Sequence, residues 1–221
     1  MKVRISDKFN MSRDENIFCA KRILVDSVYK QANLEGIAVT FANTQDILNN
    51  VNVETLTPNE ISKVCCLRDG WSYLLDHLDC NVDLVFLESL HEIIARFDVP
   101  YQYLGKLRTE AVMISGTDWR PKLPDANEIY LKLQELNKIE SITDRALSIG
   151  FYLMRAQIFK DGNKRIGSFA INKILIANGK GIFNVPVKYD GTFKQMLVDY
   201  YESDDDSELK QWAFSNCLDG V

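Results

Sequence analysis

The sequence predicts a mainly α-helical domain with one small β-hairpin, on three observations. Capping residues stand at helix-start spacing before apolar-periodic runs, the period shortens to two in one stretch only, and no internal repeat or low-complexity linker divides the chain. Ser12-Arg13-Asp14-Glu15 is a capping box, in which serine and glutamate side chains satisfy amides of the first turn. It opens a helix through Phe18, Ile23, Leu24 and Val28 expected to run to about Leu34, with Gly36 as its stop. Thr57-Pro58-Asn59-Glu60 is a second box, with proline at the first helical position, and starts a helix past Val64, Leu67, Trp71 and Leu74. A further helix is expected from Asp83 to Phe97, ending before Pro100.

Thr109 to Gly116 reads as a strand into a turn, with Val112 and Ile114 on one face. Asp125 then caps a helix carrying Ile129, Leu131, Leu133 and Leu136. Helices follow from about Ile142 to Ile158, from Asn163 to Ala177, around Phe193 to Tyr200, and from Ser207 to Cys217. The acidic run 202–208 is a solvated loop favouring the positive end of the last helix.

Composition narrows the function classes. The 221 residues are 46% apolar and carry a formal net charge of −5, enough apolar mass for one core and the wrong sign for a dedicated duplex-binding protein. No apolar run approaches the roughly 20 residues that span a bilayer. The segment Met1 to Asp7 lacks the apolar stretch of a secretory signal, so a cytoplasmic protein with no membrane partner is expected. Cys19, Cys65, Cys66, Cys80 and Cys217 are odd in number and form no C-x-x-C pair, which favours free thiols. His77 and His91 lie in separate helical stretches and are expected to be structural.

The chemistry concentrates between two predicted helices, in Gln157-Ile158-Phe159-Lys160-Asp161-Gly162-Asn163-Lys164-Arg165. Gly162 permits a close backbone approach, and the next helix begins with unsatisfied amides and a positive dipole end. Lys164 and Arg165 add two cations to that turn, which suits a phosphate chain. Asp161 offers a hard oxygen to an accompanying Mg2+, and Phe159 should anchor the loop in the core. The same Asp-Gly-Asn also favours an ordinary turn, an alternative that spacing alone leaves open.

Here the sequence resembles the Fic/Doc family, whose members carry H-x-F-x-(D/E)-G-N-x-R between two helices. The match falls on Phe159, Asp161, Gly162, Asn163 and Arg165, and the Lys164-Arg165 ending is similar to the Doc-type variant. Leu90-His91, Gly105 to Arg108 and Val112 to Gly116 are similar to the helix and flap that precede the family loop. Gln31 to Gly36 resembles the family's inhibitory motif, (S/T)-x-x-x-E-(G/N). In all, the resemblance runs from about Ile17 to Gly181.

The resemblance implies a Fic-type helical bundle with a β-hairpin flap and an N-terminal inhibitory helix. It divides the chain into an N-terminal inhibitory segment (1–56), a Fic-like core (57–200) and a C-terminal acidic loop and helix (201–221). By position, Gly162, Asn163, Lys164 and Arg165 would bind ATP or a related nucleotide, Asp161 its Mg2+, and Val112, Met113 and Ile114 would dock a target protein by strand addition. The family's catalytic histidine is Gln157 here, a neutral amide that cannot act as a general base. The family's second arginine is Ser168, so the inhibitory Glu35 is expected to meet Arg165 or Lys164 unless it is simply a helix-terminal glutamate. Three readings follow: a silent nucleotide-binding protein, an autoinhibited adenylyltransferase or Doc-like phosphotransferase, and a scaffold without nucleotide.

Overall fold

The computed structural model describes residues 4–221. Residues 1–3 of the expected N-terminal segment, and with them part of the stretch read as lacking a signal, lie outside the described residues. Ten α-helices run in order among those described: α1 (Arg13–Arg22), α2 (Leu24–Leu34), α3 (Phe41–Leu48), α4 (Pro58–Asp76), α5 (Leu84–Ile94), α6 (Ala126–Leu136), α7 (Ile142–Ala156), α8 (Asn163–Ala177), α9 (Asp190–Ser203) and α10 (Ser207–Asn216). Between them β1 (Ile182–Phe183) pairs antiparallel with β2 (Leu218–Asp219), with Phe183 opposite Leu218. Among the described residues no helix is long and apolar enough to cross a membrane.

The core is organised around α8, in which every residue from Arg165 to Ile176 is buried. A helix buried on all sides must sit at the centre of a bundle. Its closest partner is α7, and two glycines set the distance. A Cβ on Gly167 would lie 2.5 Å from the carbonyl oxygen of Gly150, and one on Gly150 would lie 2.2 Å from Ile171 Cγ1. Only hydrogen atoms fit in that seam. Around it pack Trp71, Phe151, Phe159, Phe169, Phe183 and Phe193, all fully buried. Buried Asn172 serves β1 as a strand would, donating to Phe183 O at 2.8 Å and accepting from Phe183 N at 2.8 Å.

Both capping boxes form, at Ser12 and at Thr57. The helix expected from Ser12 to Leu34 is two helices, interrupted at Ile23 (φ −99, ψ 14). The break lets α1 lie on α8 with only Asn16 and Ala20 buried, while α2 turns its Val28, Gln31 and Ala32 inward. α3, with Thr40 as its cap, was not expected.

The strand expected at Thr109–Gly116 does not form; the two-strand sheet lies elsewhere. The alternation is present, since Met113 is 82% exposed while Val112 and Ile114 are half-buried. What is missing is a partner. The returning arm contains Pro121 and Pro124, which have no amide to donate to a ladder. Arg108 occupies carbonyls of both arms instead: Nη1 donates to Glu110 O at 2.9 Å, and Nη2 to Pro121 O at 3.2 Å and Lys122 O at 2.6 Å.

Candidate functional site

α7 ends at Gln157, whose left-handed backbone (φ 49, ψ 55) turns the chain out of the helix. Five residues later Gly162, at φ 78, turns it into α8. Between these turns Phe159 is fully buried, which stabilises the loop by about 2–3 kcal/mol. The carboxamide of buried Asn163 closes the loop like a clasp: Phe159 N donates to Oδ1 at 2.9 Å, and Nδ2 donates to Phe159 O at 2.8 Å and to Gln157 Oε1 at 3.1 Å. Gln157 Nε2 in turn donates to Met154 O at 2.6 Å. Both ends of that side-chain amide are thus bonded within the protein.

His91, on α5, supports the loop from beneath. Its ring stacks on Phe159 with centroids 4.0 Å apart. Gly105 N donates to Nδ1 at 3.0 Å, so the proton is on Nε2, which donates to Asp161 O at 3.1 Å. Burial first, and the Arg165 charge second, push its pKa from 6.5 down to about 4, so the ring is neutral. Both histidines are thus structural in their contacts, His77 Nδ1 donating to Tyr73 O at 2.7 Å while its ring stacks on Tyr73. All five cysteines are free.

Arg165 is the buried cation of the site. It donates to Ile94 O at 2.7 Å and is paired with Asp98, which also meets Lys63 at 2.7 Å. Burial opposes the guanidinium charge, but Glu35, Asp98 and Asp161 outweigh it and hold the group protonated. Glu35, the residue ending α2, lies 3.4 Å from Arg165 Nε and 3.5 Å from Lys164 Nζ. The expected meeting of Glu35 with Lys164 and Arg165 is therefore present, but as charge contact only. Glu35 Oε1 and Arg165 Nε are buried without a hydrogen-bond partner.

Part of this set lines one cleft of about 530 Å3, while Asn163 and Arg165 stand outside its lining. Val112, Met113 and Ile114 form one wall and Gln157, Lys160, Asp161, Gly162 and Lys164 another, with Glu35 also in the lining. Sequence reading missed Lys194 and Tyr201 of α9, which also line the cleft. It missed Asp98 and the anchoring role of Arg108 as well. Nothing in local spacing marks Asp98, because its partners stand 35 and 67 positions away.

Chemically the cleft suits an anion. No side chain caps α8, so its first amides are open, and Lys160, Lys164 and Lys194 contribute positive charge. Asp161 has its side chain 59% exposed and bonds Gly162 N through one oxygen at 2.5 Å. Among the described residues no three His, Cys, Asp or Glu side chains gather as a metal site. A cation at Asp161 would therefore take its other ligands from the anion and water.

Residues 81–175 match the Fic/DOC family. No curated protein matches the sequence. Among solved structures, the chain is similar to Fic-1 (residues 134–508) from C. elegans, with TM-score 0.74 and 18% identity over 92% of this chain. It spans 66% of that Fic-1 chain. A Fic-domain-containing signalling protein from Bacteroides thetaiotaomicron gives TM-score 0.71 at 13% identity, covering 96% of this chain and 94% of that one. BepC, a VirB-translocated Bartonella effector protein from Bartonella tribocorum solved with bound AMPPNP, gives 0.51 at 15% identity, over 71% of this chain and 86% of BepC. Residues 81–175 thus match the Fic/DOC family, and the chain shares the mainly helical fold of these solved structures.

Proposed function

We propose that this domain binds ATP, or a related nucleotide, with Mg2+ across the Asp161–Arg165 loop. In this reading Glu35 gates the site and the chain is catalytically silent. The observation that carries the proposal is the convergence in one cleft of an uncapped helix start, three lysines and Glu35. The AMPPNP in BepC, an ATP analogue with a non-cleavable bridge, supports the choice of ligand.

Each residue then has a task. The left-handed Gly162 and the first amides of α8 cradle phosphate oxygens. Asn163 offers its backbone amide, because its carboxamide is committed to the loop. Lys164 supplies charge once Glu35 withdraws, and Arg165, anchored by Ile94 O and Asp98, presents the guanidinium edge that Glu35 now faces. Asp161 holds the Mg2+, which when bound neutralises phosphate charge. Gln157 stands where the family histidine would take a hydroxyl proton, and its amide has no lone pair basic enough for that step. Its bonds to Met154 O and Asn163 Nδ2 leave it as a brace of the loop.

The unpartnered extended stretch 112–114 favours a second reading, an autoinhibited adenylyltransferase or Doc-like phosphotransferase that docks a target segment there. Transfer of label from α-labelled ATP would identify the first activity, and from γ-labelled ATP the second. The principal proposal is tested with a fluorescent ATP analogue and Mg2+, titrated into the wild type and Gly162→Val. A β-branched residue at φ 78 disrupts the cradle. Binding to the wild type that weakens at least about tenfold in the variant supports the site. No binding to the wild type contradicts it, as does equal binding by both.

A further inference from the structure

The lysines lining the cleft are not all free to meet an anion. Lys164 already faces Glu35 of α2 at 3.5 Å. Lys160 faces a different carboxylate, Glu110 at the root of the flap, with Nζ 3.0 Å from Oε2. One counter-ion thus comes from α2 and the other from the flap, and the two pairs share no residue.

Tyr103 gives the second pair a platform. The Lys160 ammonium lies 3.8 Å over its ring, and its hydroxyl donates to the other Glu110 oxygen, Oε1, at 3.4 Å. Lys160 holds the Glu110 carboxyl below its ordinary range, while Glu110 first and Tyr103 second push the ammonium up. Both groups are therefore charged at neutral pH. The contact is nonetheless weakly held. The Lys160 side chain is 35% exposed and that of Glu110 60%, and an exposed ion pair is screened by water and salt.

The main chain on both sides of this pair is fixed. Phe159 is bonded through N and O to the Asn163 carboxamide, Asp161 O to His91, and Glu110 O to Arg108. What can move is the four-carbon stem of Lys160. Lys160 lines the cleft and Glu110 does not, so an exchange of partners carries its charge from the flap to the cleft.

We propose that Glu110 is a second internal counter-ion of the cleft, which an entering phosphate displaces from Lys160 as it displaces Glu35 from Lys164. The proposal rests on the nucleotide reading and adds a route of regulation that Glu35 does not offer. By reciprocity, a segment docked on the flap that brings its own cation to Glu110 frees Lys160 and tightens the hold on phosphate. A basic target segment and the nucleotide then each favour binding of the other.

The test is calorimetric titration of Mg·ATP at about 0.15 M salt, where fields beyond roughly 8 Å are largely screened. The proteins compared are the wild type, Glu110→Gln, Lys160→Gln and the double variant. Glu110→Gln should tighten binding about 2–5-fold, because Lys160 is released to the cleft. Lys160→Gln should weaken binding, since the cleft loses a cation. Adding Glu110→Gln to Lys160→Gln should leave affinity unchanged, because the carboxylate acts through the ammonium. Equal tightening in both backgrounds overturns the proposal, as does unchanged affinity in Glu110→Gln. No heat in any of these proteins contradicts the nucleotide reading and the proposal with it, whereas binding without a Glu110 effect contradicts the proposal alone.

Discussion

Burial holds the His91 ring neutral, with its pKa down at about 4 against 6.5 for a free histidine. The unfolded chain therefore binds more protons than the folded one between those values, and stability must fall as pH falls through that window. Urea unfolding should show His91 contributing about 2 kcal/mol less stability at pH 5 than at pH 7. His91→Gln should flatten that part of the profile; an unchanged slope would show that the ring is protonated in the native state. Gln157 is the other residue with a sharp consequence. Histidine tolerates the left-handed backbone found there better than glutamine does. Gln157→His, combined with Glu35→Gly, should therefore accept the local geometry and supply a base. The expected gain in label transfer from ATP is at least about 100-fold over Glu35→Gly alone. No gain would mean that the loop, not the missing base, limits chemistry.

At the scale of elements, the flap is held by one side chain. Arg108 is 3% exposed, faces no carboxylate, and donates to four carbonyls, one of them Gln157 O at 2.5 Å. It thus ties both arms of the flap to the end of α7. Arg108→Ala should raise amide hydrogen exchange across residues 109–122 by about tenfold or more, while α8 stays protected. Arg108→Lys should fail to restore protection, because an ammonium cannot reproduce the planar fork. Protection unchanged in Arg108→Ala would show that the flap is held by other contacts. The α2 seam is the contrasting case. Ser27, Gln31 and Glu35 follow at four-residue spacing on its inward side, and Gln31 Nε2, Glu35 Oε1, Asn184 Oδ1 and Arg165 Nε there lack hydrogen bonds. A helix seated on an incompletely satisfied polar seam is docked less firmly than one seated on an apolar face.

For the molecule as a whole, what was legible in the sequence followed from local physics. The Ser12 and Thr57 capping boxes, the start of α8 at Asn163 and the loop anchor Phe159 all depend on neighbours within a few residues, and each is where spacing placed it. The family resemblance added what spacing could not, the approach of Glu35 to Arg165 across 130 positions. What stayed hidden depends on distant partners. The Thr109–Gly116 alternation gives no hint that Arg108 and two prolines deny it a ladder, and Asp98 is selected only by Lys63 and Arg165. The break at Ile23 likewise reflects where α1 and α2 must pack, not a residue that stops helices. In the proposed reading, Glu35, which contacts Lys164 and Arg165, gates the anion cradle at the start of α8. Calorimetric titration of Mg·ATP into the wild type and Glu35→Gly tests that claim most directly. The account predicts binding to both, about tenfold tighter in the variant, where the half-buried charge contacts no longer compete. Equal affinity in the two proteins, or no heat in either, would contradict it.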